Sequence, residues 1–242
     1  MSEETEEEID YEIMPDDTPI HDLSFKLIVI GDSGVGKSCL TMKATKNIFE
    51  NDYSPTIGFE FYTFIIKIKE KIIRLQIWDT CGQEVYRSLI NGFYRNSSLA
   101  ILLYGINNIK SFQNLELWLN DIKVNSNPDI KIFLVGNKKD LEEKREVPID
   151  KAKTFYKEHN LHYFLETSAK TGFNVQKLLI RAANVLYEES KKLELKIKMN
   201  KNIDENNNNN TNTNNNNNIK LAQEDDIVVD FNEKKKKKKK CC

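Results

Sequence analysis

The densest chemistry in this chain lies in Gly31 to Ser38, G-D-S-G-V-G-K-S, which fits the spacing G-x-x-x-x-G-K-[ST] at every fixed position. Gly31, Gly34 and Gly36 admit positive φ and close backbone approach. The N–H groups of Gly31, Asp32, Ser33, Gly34, Val35, Gly36, Lys37, Ser38 and Cys39 can therefore turn inward onto phosphate oxygens. The Lys37 ammonium suits β- and γ-phosphates, and the Ser38 hydroxyl suits Mg²⁺. The context agrees with this chemistry. The apolar run Phe25–Ile30 reads as a strand leading in, and Cys39–Ala44 reads as the first turns of a helix, whose N-terminus adds partial positive charge.

Four further stretches narrow the chemistry. Trp78–Glu84 reads W-D-T-C-G-Q-E at the end of an apolar run. Asp79 is placed to hold Mg²⁺ through water, Gly82 to offer its N–H to a γ-phosphate, and Gln83 to orient a water for in-line attack. Asn137–Asp140 reads N-K-K-D after another apolar run. The Asp140 carboxylate can accept the N1–H and 2-amino hydrogens of guanine. Adenine lacks both donors there, and a carboxylate left unpaired is costly. The Lys138 stem can cover the base. Taken alone, N-K-K-D is equally an ordinary polar loop. Glu166–Lys170 reads E-T-S-A-K, and the backbone amides at Ser168, Ala169 and Lys170 are placed to meet the guanine oxygen, though these are common loop residues. The Thr56 hydroxyl, in a loop rich in Asn, Asp, Ser and Pro, is placed to complete the Mg²⁺ shell.

Alternating strands and helices must carry these loops. Phe59–Lys69 and Ile72–Trp78 read as a hairpin, Leu99–Ile106 and Ile130–Val135 as buried strands, and Tyr163–Leu165 as a short one. Phe112–Lys123, Asp150–Glu158 and Val175–Leu193 have helical apolar spacing, and Asp79–Ser88 reads as a loop entering a helix. The expectation is an α/β sandwich with six strands, mostly parallel, and five helices, with the loops converging at the carboxyl ends of the strands.

The net charge of −1 over 242 residues conceals an asymmetry. Residues 1–22 hold ten acidic residues and no Lys or Arg, whereas residues 196–242 carry 11 Lys and 7 acidic residues. Three regions follow: an acidic, disordered extension over 1–22, a nucleotide-binding domain over 23–195, and a disordered tail over 196–242 with an asparagine tract at 206–218. Uniform basicity is absent, so no nucleic-acid partner is expected, and only the terminal lysine run keeps open the rival reading of a phosphate-loop protein whose tail binds nucleic acid. Four cysteines without metal-like spacing point to a reducing compartment, and neither a signal peptide nor a transmembrane run is visible. The chain ends in seven lysines, Lys234–Lys240, and then Cys241–Cys242.

These motifs, in this order over about residues 23–190, resemble the small GTPases of the Ras superfamily, and among them the Rab family. The Rab-like detail is T-I-G-F-E-F at 56–61, R-L-Q-I-W-D-T at 74–80, Q-E-V-Y-R-S-L at 83–89, F-Y-R-N-S at 93–97 and L-L-Y-G-I at 102–106. The resemblance implies a phosphate-loop NTPase with the Ras-like three-layer sandwich: a switch that binds GTP and GDP with Mg²⁺ and hydrolyses GTP slowly. It implies that Phe49 packs against guanine, where the bare sequence reads a half-buried loop anchor. It implies that Phe61, Trp78 and Phe93 form an exposed aromatic triad read by effectors, where composition alone places all three in the core. It makes Cys241 and Cys242 the site of two geranylgeranyl groups, which with the lysine run anchor the protein to an anionic membrane surface. The implied partners are an exchange factor, a GTPase-activating protein, a GDP-dissociation inhibitor, a prenylation escort and transferase, and effectors of vesicle traffic. The implied location is the cytoplasmic face of an intracellular or plasma membrane, with a cytosolic pool. Four positions depart from the family pattern: Cys81 for Ala, Gly105 for Asp, Asn96 for Gly and Ala44 for Phe. Cys81, beside Gly82 and Gln83, keeps open an alternative, a nucleotide-binding scaffold with little turnover.

Overall fold

The computed structural model of the chain describes residues 9–50, 58–81 and 92–209, the last ten by backbone alone. Thr56, Gly82, Gln83, Cys241 and Cys242, the helix expected after Asp79, and most of the asparagine tract lie outside the described residues.

One seven-stranded sheet organises the domain. Its strands are β1 (Tyr11–Met14), β2 (Leu23–Ile30), β3 (Phe59–Ile68), β4 (Lys71–Thr80), β5 (Leu99–Gly105), β6 (Lys131–Asn137) and β7 (Tyr163–Glu166), in spatial order β1-β3-β4-β2-β5-β6-β7. The β4-β2-β5-β6-β7 pairs are parallel, while β3 runs antiparallel to both β4 and β1. The parallel centre explains why β5, L-A-I-L-L-Y-G, is buried at every residue: both of its faces are covered. β4 instead alternates, with Ile73, Leu75 and Ile77 buried between less buried neighbours.

Helices cover both faces. On one side α1 (Lys37–Lys46) and α5 (Val175–Asn209) bring Leu40, Leu178, Leu179 and Ala182 onto Leu27, Val29, Ile101 and Leu103. On the other, α2 (Ile109–Gln113), α3 (Leu115–Asn125) and α4 (Ile149–Glu158) bring Phe112, Leu115, Trp118, Leu119 and Phe155 onto Ile28, Ile30, Leu102 and Tyr104. Alternate β-strand residues feed the two cores, which gives the three-layer sandwich.

The sequence reading is corrected in four places. First, the sheet has seven strands. Within the acidic segment expected to be disordered, Y-E-I-M pairs with the free edge of β3, setting Glu12 opposite Lys67 and Ile13 opposite Ile66. The acidic composition hid a four-residue run that needs only an open edge for its backbone groups. Second, the helix expected over Phe112–Lys123 is two helices that meet at Asn114. The first begins at Asn108, whose side chain accepts the Ser111 N–H. Third, a 3₁₀ turn, Lys139–Lys144, follows β6. Fourth, α5 does not stop at Leu193 but continues to Asn209, first through the good helix formers of E-L-K-I-K-M at 194–199 and then across an asparagine-rich stretch whose own composition does not favour a helix. The chain divides into two compact units, Met1–Lys196 and Ile197–Cys242, and the second enters the description only as the end of α5. Among the described residues no helix is long and apolar enough to cross a membrane.

Two departures from the family pattern fit without strain. Asn96 takes φ 61°, a left-handed position that asparagine tolerates better than most residues. Ala44 is buried in the α1 core.

One histidine completes a strand. His162 Nδ1 accepts the Ile132 N–H at 3.0 Å, just before β7. Burial, and then the Lys131 cation, hold its pKa below the ordinary histidine value, with Glu189 opposing. Protonation destroys the acceptor. A depressed pKa in the folded state means that stability is present above the unfolded value and is lost as pH falls from there through the lower folded value. Urea unfolding at pH 7 and pH 5 is expected to show a stability loss that His162→Asn reduces, because Asn Oδ1 can accept the same N–H without titrating. An unchanged slope in the variant would count against this contact.

Candidate functional site

The site lies where β2, β4, β6 and β7 end. Gly31 leaves β2 at φ 143°, and a Cβ there would stand 2.2 Å from the Leu103 carbonyl oxygen of β5. Gly34 and Gly36 take φ 76° and 95°, and Gly36 opens α1. A Cβ on Gly36 would meet Asn137 Nδ2 at 2.6 Å, whereas Gly34 has open space around it. Ser33 and Gly34 are exposed at the rim, while Val35, Lys37 and Ser38 are buried and Cys39 half-buried.

Lys37 folds back inside the loop. Its Nζ donates to the Gly31 and Asp32 carbonyls, at 2.9 Å each. Burial lowers its pKa to about 8, against the opposing pull of Asp79. An ammonium has three donors, so these carbonyls fix its direction without using it up.

Asp79, next to last in β4, is fully buried, and its Oδ2 accepts the Ser38 hydroxyl. Burial raises its pKa to about 6, with Ser38 and Lys37 opposing. Its Oδ1 is buried with no hydrogen-bond partner among the described residues. A carboxylate oxygen without a partner beside a hydroxyl oxygen is a hard-donor pair of the kind Mg²⁺ takes. Ser38 and Asp79 therefore fit the metal. Cys81 follows, buried, with its N–H on the Gly58 carbonyl at 3.0 Å.

Asn137 turns out to be a tie between loops. Its Nδ2 donates to the Val35 and Gly36 carbonyls, at 3.0 and 3.4 Å. Its Oδ1 accepts the Thr167 hydroxyl and the Ala169 N–H, both at 3.2 Å. Lys138, at φ 69°, reaches the Gly34 carbonyl through Nζ at 2.6 Å. Asp140 is exposed and oriented by the Ser168 hydroxyl, 2.5 Å from its Oδ1. Ser168 and Ala169 are buried and Lys170 is exposed. The N-K-K-D and E-T-S-A-K stretches thus close around one end of the phosphate loop.

Two supports went unseen in the sequence. Arg145 grips Glu166 with two bonds of 2.7 and 2.8 Å, pinning the 3₁₀ turn to β7. The Asp32 carboxylate accepts from Asn114 and Trp118 on the α2–α3 face. Residues so far apart in the chain leave no local signal.

Phe49 is half-buried against the α1 core. Phe61 is 45% exposed, which corrects the core placement its composition suggests. Trp78 and Phe93 are half-buried, with ring centroids 5.3 Å apart, and Phe61 lies 5.2 Å from Trp78. Phe59, unassigned from sequence, joins them at 4.6 Å from Phe93 and is 49% exposed. Lys26 caps Trp78.

A glycine-turned loop at the carboxyl end of a parallel sheet, with an inward lysine and a Ser–Asp pair, defines a phosphate-loop nucleotide-binding domain. Residues 26–188 match the model of the Ras family, and the chain belongs to that family. It is accordingly a small GTPase switch of the kind that binds GTP and GDP with Mg²⁺ and works with exchange factors, activating proteins and effectors.

Proposed function

We propose that this Ras-family chain is a Rab-like switch, anchored to membranes through lipids on Cys241 and Cys242, that controls vesicle traffic by recruiting effectors in its GTP state. The observation that carries the reading is the partly exposed cluster of Phe59 and Phe61 on β3, Trp78 on β4 and Phe93 from the segment before β5. Exposed aromatics in such a patch favour a protein partner over solvent. The Cys-Cys terminus behind seven lysines supports two geranylgeranyl groups and an anionic leaflet. Prenylation brings with it an escort, a transferase and a GDP-dissociation inhibitor, and gives a pool that cycles between cytosol and the cytoplasmic face of a membrane.

The division of labour we infer rests on the motif spacing, supported by the positions of Lys37, Ser38, Asp79 and Asp140. The Gly31–Ser38 amides and Lys37 hold the phosphates. Ser38 and Asp79, joined by Thr56, would hold Mg²⁺, which would supply positive charge to offset that of the phosphates. Asp140 reads the guanine edge, Lys138 covers the base, and Gln83 holds a water in line with the γ-phosphate. The Thr56 and Gly82 segments report the γ-phosphate to the aromatic patch.

Two experiments test this. Displacement of a fluorescent GDP is expected to favour GTP over ATP by at least about 100-fold, a preference that Asp140→Ala erases. Equal displacement by both nucleotides in the unaltered protein would sink the guanine assignment. For the anchor, Cys241→Ser with Cys242→Ser is expected to move the protein from the membrane to the soluble fraction. Continued pelleting with membranes would refute it.

A further inference from the structure

An anion-binding loop that carries its own carboxylate poses an electrostatic problem. Asp32 is the second residue of the phosphate loop, and its negative charge opposes the phosphate that the surrounding amides and Lys37 attract. The geometry shows how the conflict is contained. Asp32 Oδ2 accepts Asn114 Nδ2 at 2.7 Å, and Oδ1 accepts Trp118 Nε1 at 2.7 Å. Asn114 and Trp118 stand four residues apart at the start of α3, with the Trp118 N–H bonded to the Asn114 carbonyl. Residues i and i+4 share one helix face, so both donors reach one carboxylate. Trp118 is only 2% exposed and packed in the α3 core, which makes it a stiff post. The backbone of Asp32 matters as well, because its carbonyl, with that of Gly31, aims Lys37.

We propose that Asp32, Asn114 and Trp118 form a clamp through which helix α3 fixes the phosphate loop and sets how long a nucleotide stays bound. Asn114 and Trp118 are positioning residues: they touch no nucleotide and act through Asp32. With the clamp closed, both carboxylate oxygens are occupied by donors on α3 and the Gly31–Asp32 carbonyls stay under Lys37. With a donor removed, the carboxylate is free to turn towards Lys37 and the phosphates, competing for the cation and repelling the anion. Nucleotide then leaves faster. Contacts on the outer face of α3, where Leu117 is 52% exposed, would work on the same lever.

The clamp rests on the phosphate reading of the loop, and the dissociation trace of the unaltered full chain reports that reading by itself. The test is a double-mutant cycle on fluorescent GDP dissociation, with backbone amide exchange over residues 33–37 as a second measurement that needs no nucleotide. Trp118→Phe keeps most of the core volume and removes the donor. It is expected to speed GDP release about tenfold and to raise amide exchange in the loop, leaving single-turnover hydrolysis of bound GTP unchanged. In an Asp32→Ala background the same substitution is expected to change neither release nor loop exchange. A Trp118→Phe protein with unaltered release and loop exchange would overturn the proposal. So would an equal acceleration in both backgrounds, which would assign the effect to core packing. Asn114→Ala repeats the cycle at the other oxygen, with the same expected loss of effect when Asp32 is alanine.

Discussion

A Gly31→Ala protein is expected to lose about 2–5 kcal/mol of folding stability and to bind nucleotide at least about 100-fold more weakly. The added methyl would lie 2.2 Å from the Leu103 carbonyl oxygen, a backbone atom in the middle of β5. β5 is held by ladders to β2 on one side and β6 on the other, so it cannot retreat. The loop must move instead, and at φ 143° an alanine is strained even where space is found. Displacing Gly31 shifts a carbonyl that aims Lys37 and the first amides of the cradle. Gly34→Ala is the control: it too has positive φ, but nothing lies within 4 Å, so only a backbone cost of about 1–2 kcal/mol is expected. Urea unfolding and equilibrium binding of a fluorescent GDP measure both variants. If Gly31→Ala is no worse than Gly34→Ala, the close approach of β5 to the loop is not what the glycine serves.

What could be read from the sequence was what is local or periodic. β5 declared itself because seven consecutive residues are buried on two faces. The phosphate loop declared itself because three glycines, a lysine and a serine must sit at fixed offsets for their amides to converge. β1 did not, because its four residues bury little and owe their conformation to a neighbouring edge rather than to their own composition. The break at Asn114 was hidden by apolar spacing that runs on across it. Phe61 looked like core because aromatic residues usually are. It is held at the surface by strand parity, which turns Phe59 and Phe61 to the same side. The Asp32 clamp and the Arg145–Glu166 pair were invisible for a different reason. Their partners are residues with other evident uses, loop polar groups and a core tryptophan, brought together by packing that no spacing encodes.

Asn137 shows the same boundary within a single residue. The sequence assigned it to the nucleotide, and the fold gives it a second duty that its substitutions are expected to expose. It is 1% exposed, and its four contacts join the phosphate loop to the E-T-S-A-K segment. Asn137→Ala leaves the Val35 carbonyl, the Thr167 hydroxyl and the Ala169 N–H buried without it. Each orphaned group costs about 1–3 kcal/mol, and because such losses are not additive the expected total is about 3–5 kcal/mol. Asn137→Asp separates shape from hydrogen bonding. It is the same size and keeps Oδ1, but a carboxylate oxygen replaces the donor facing two carbonyl oxygens. Only the protonated acid can restore one donated bond, so the folded state raises its pKa above the unfolded value. Stability is then greatest at low pH and lost as pH rises through that raised pKa. Urea unfolding of Asn137→Asp is therefore expected to show a clear loss between pH 5 and pH 8 that Asn137→Ala does not show. A flat profile for Asn137→Asp would mean that the amide nitrogen does not face Val35 and Gly36. The tie would then have to be rebuilt with the amide turned the other way.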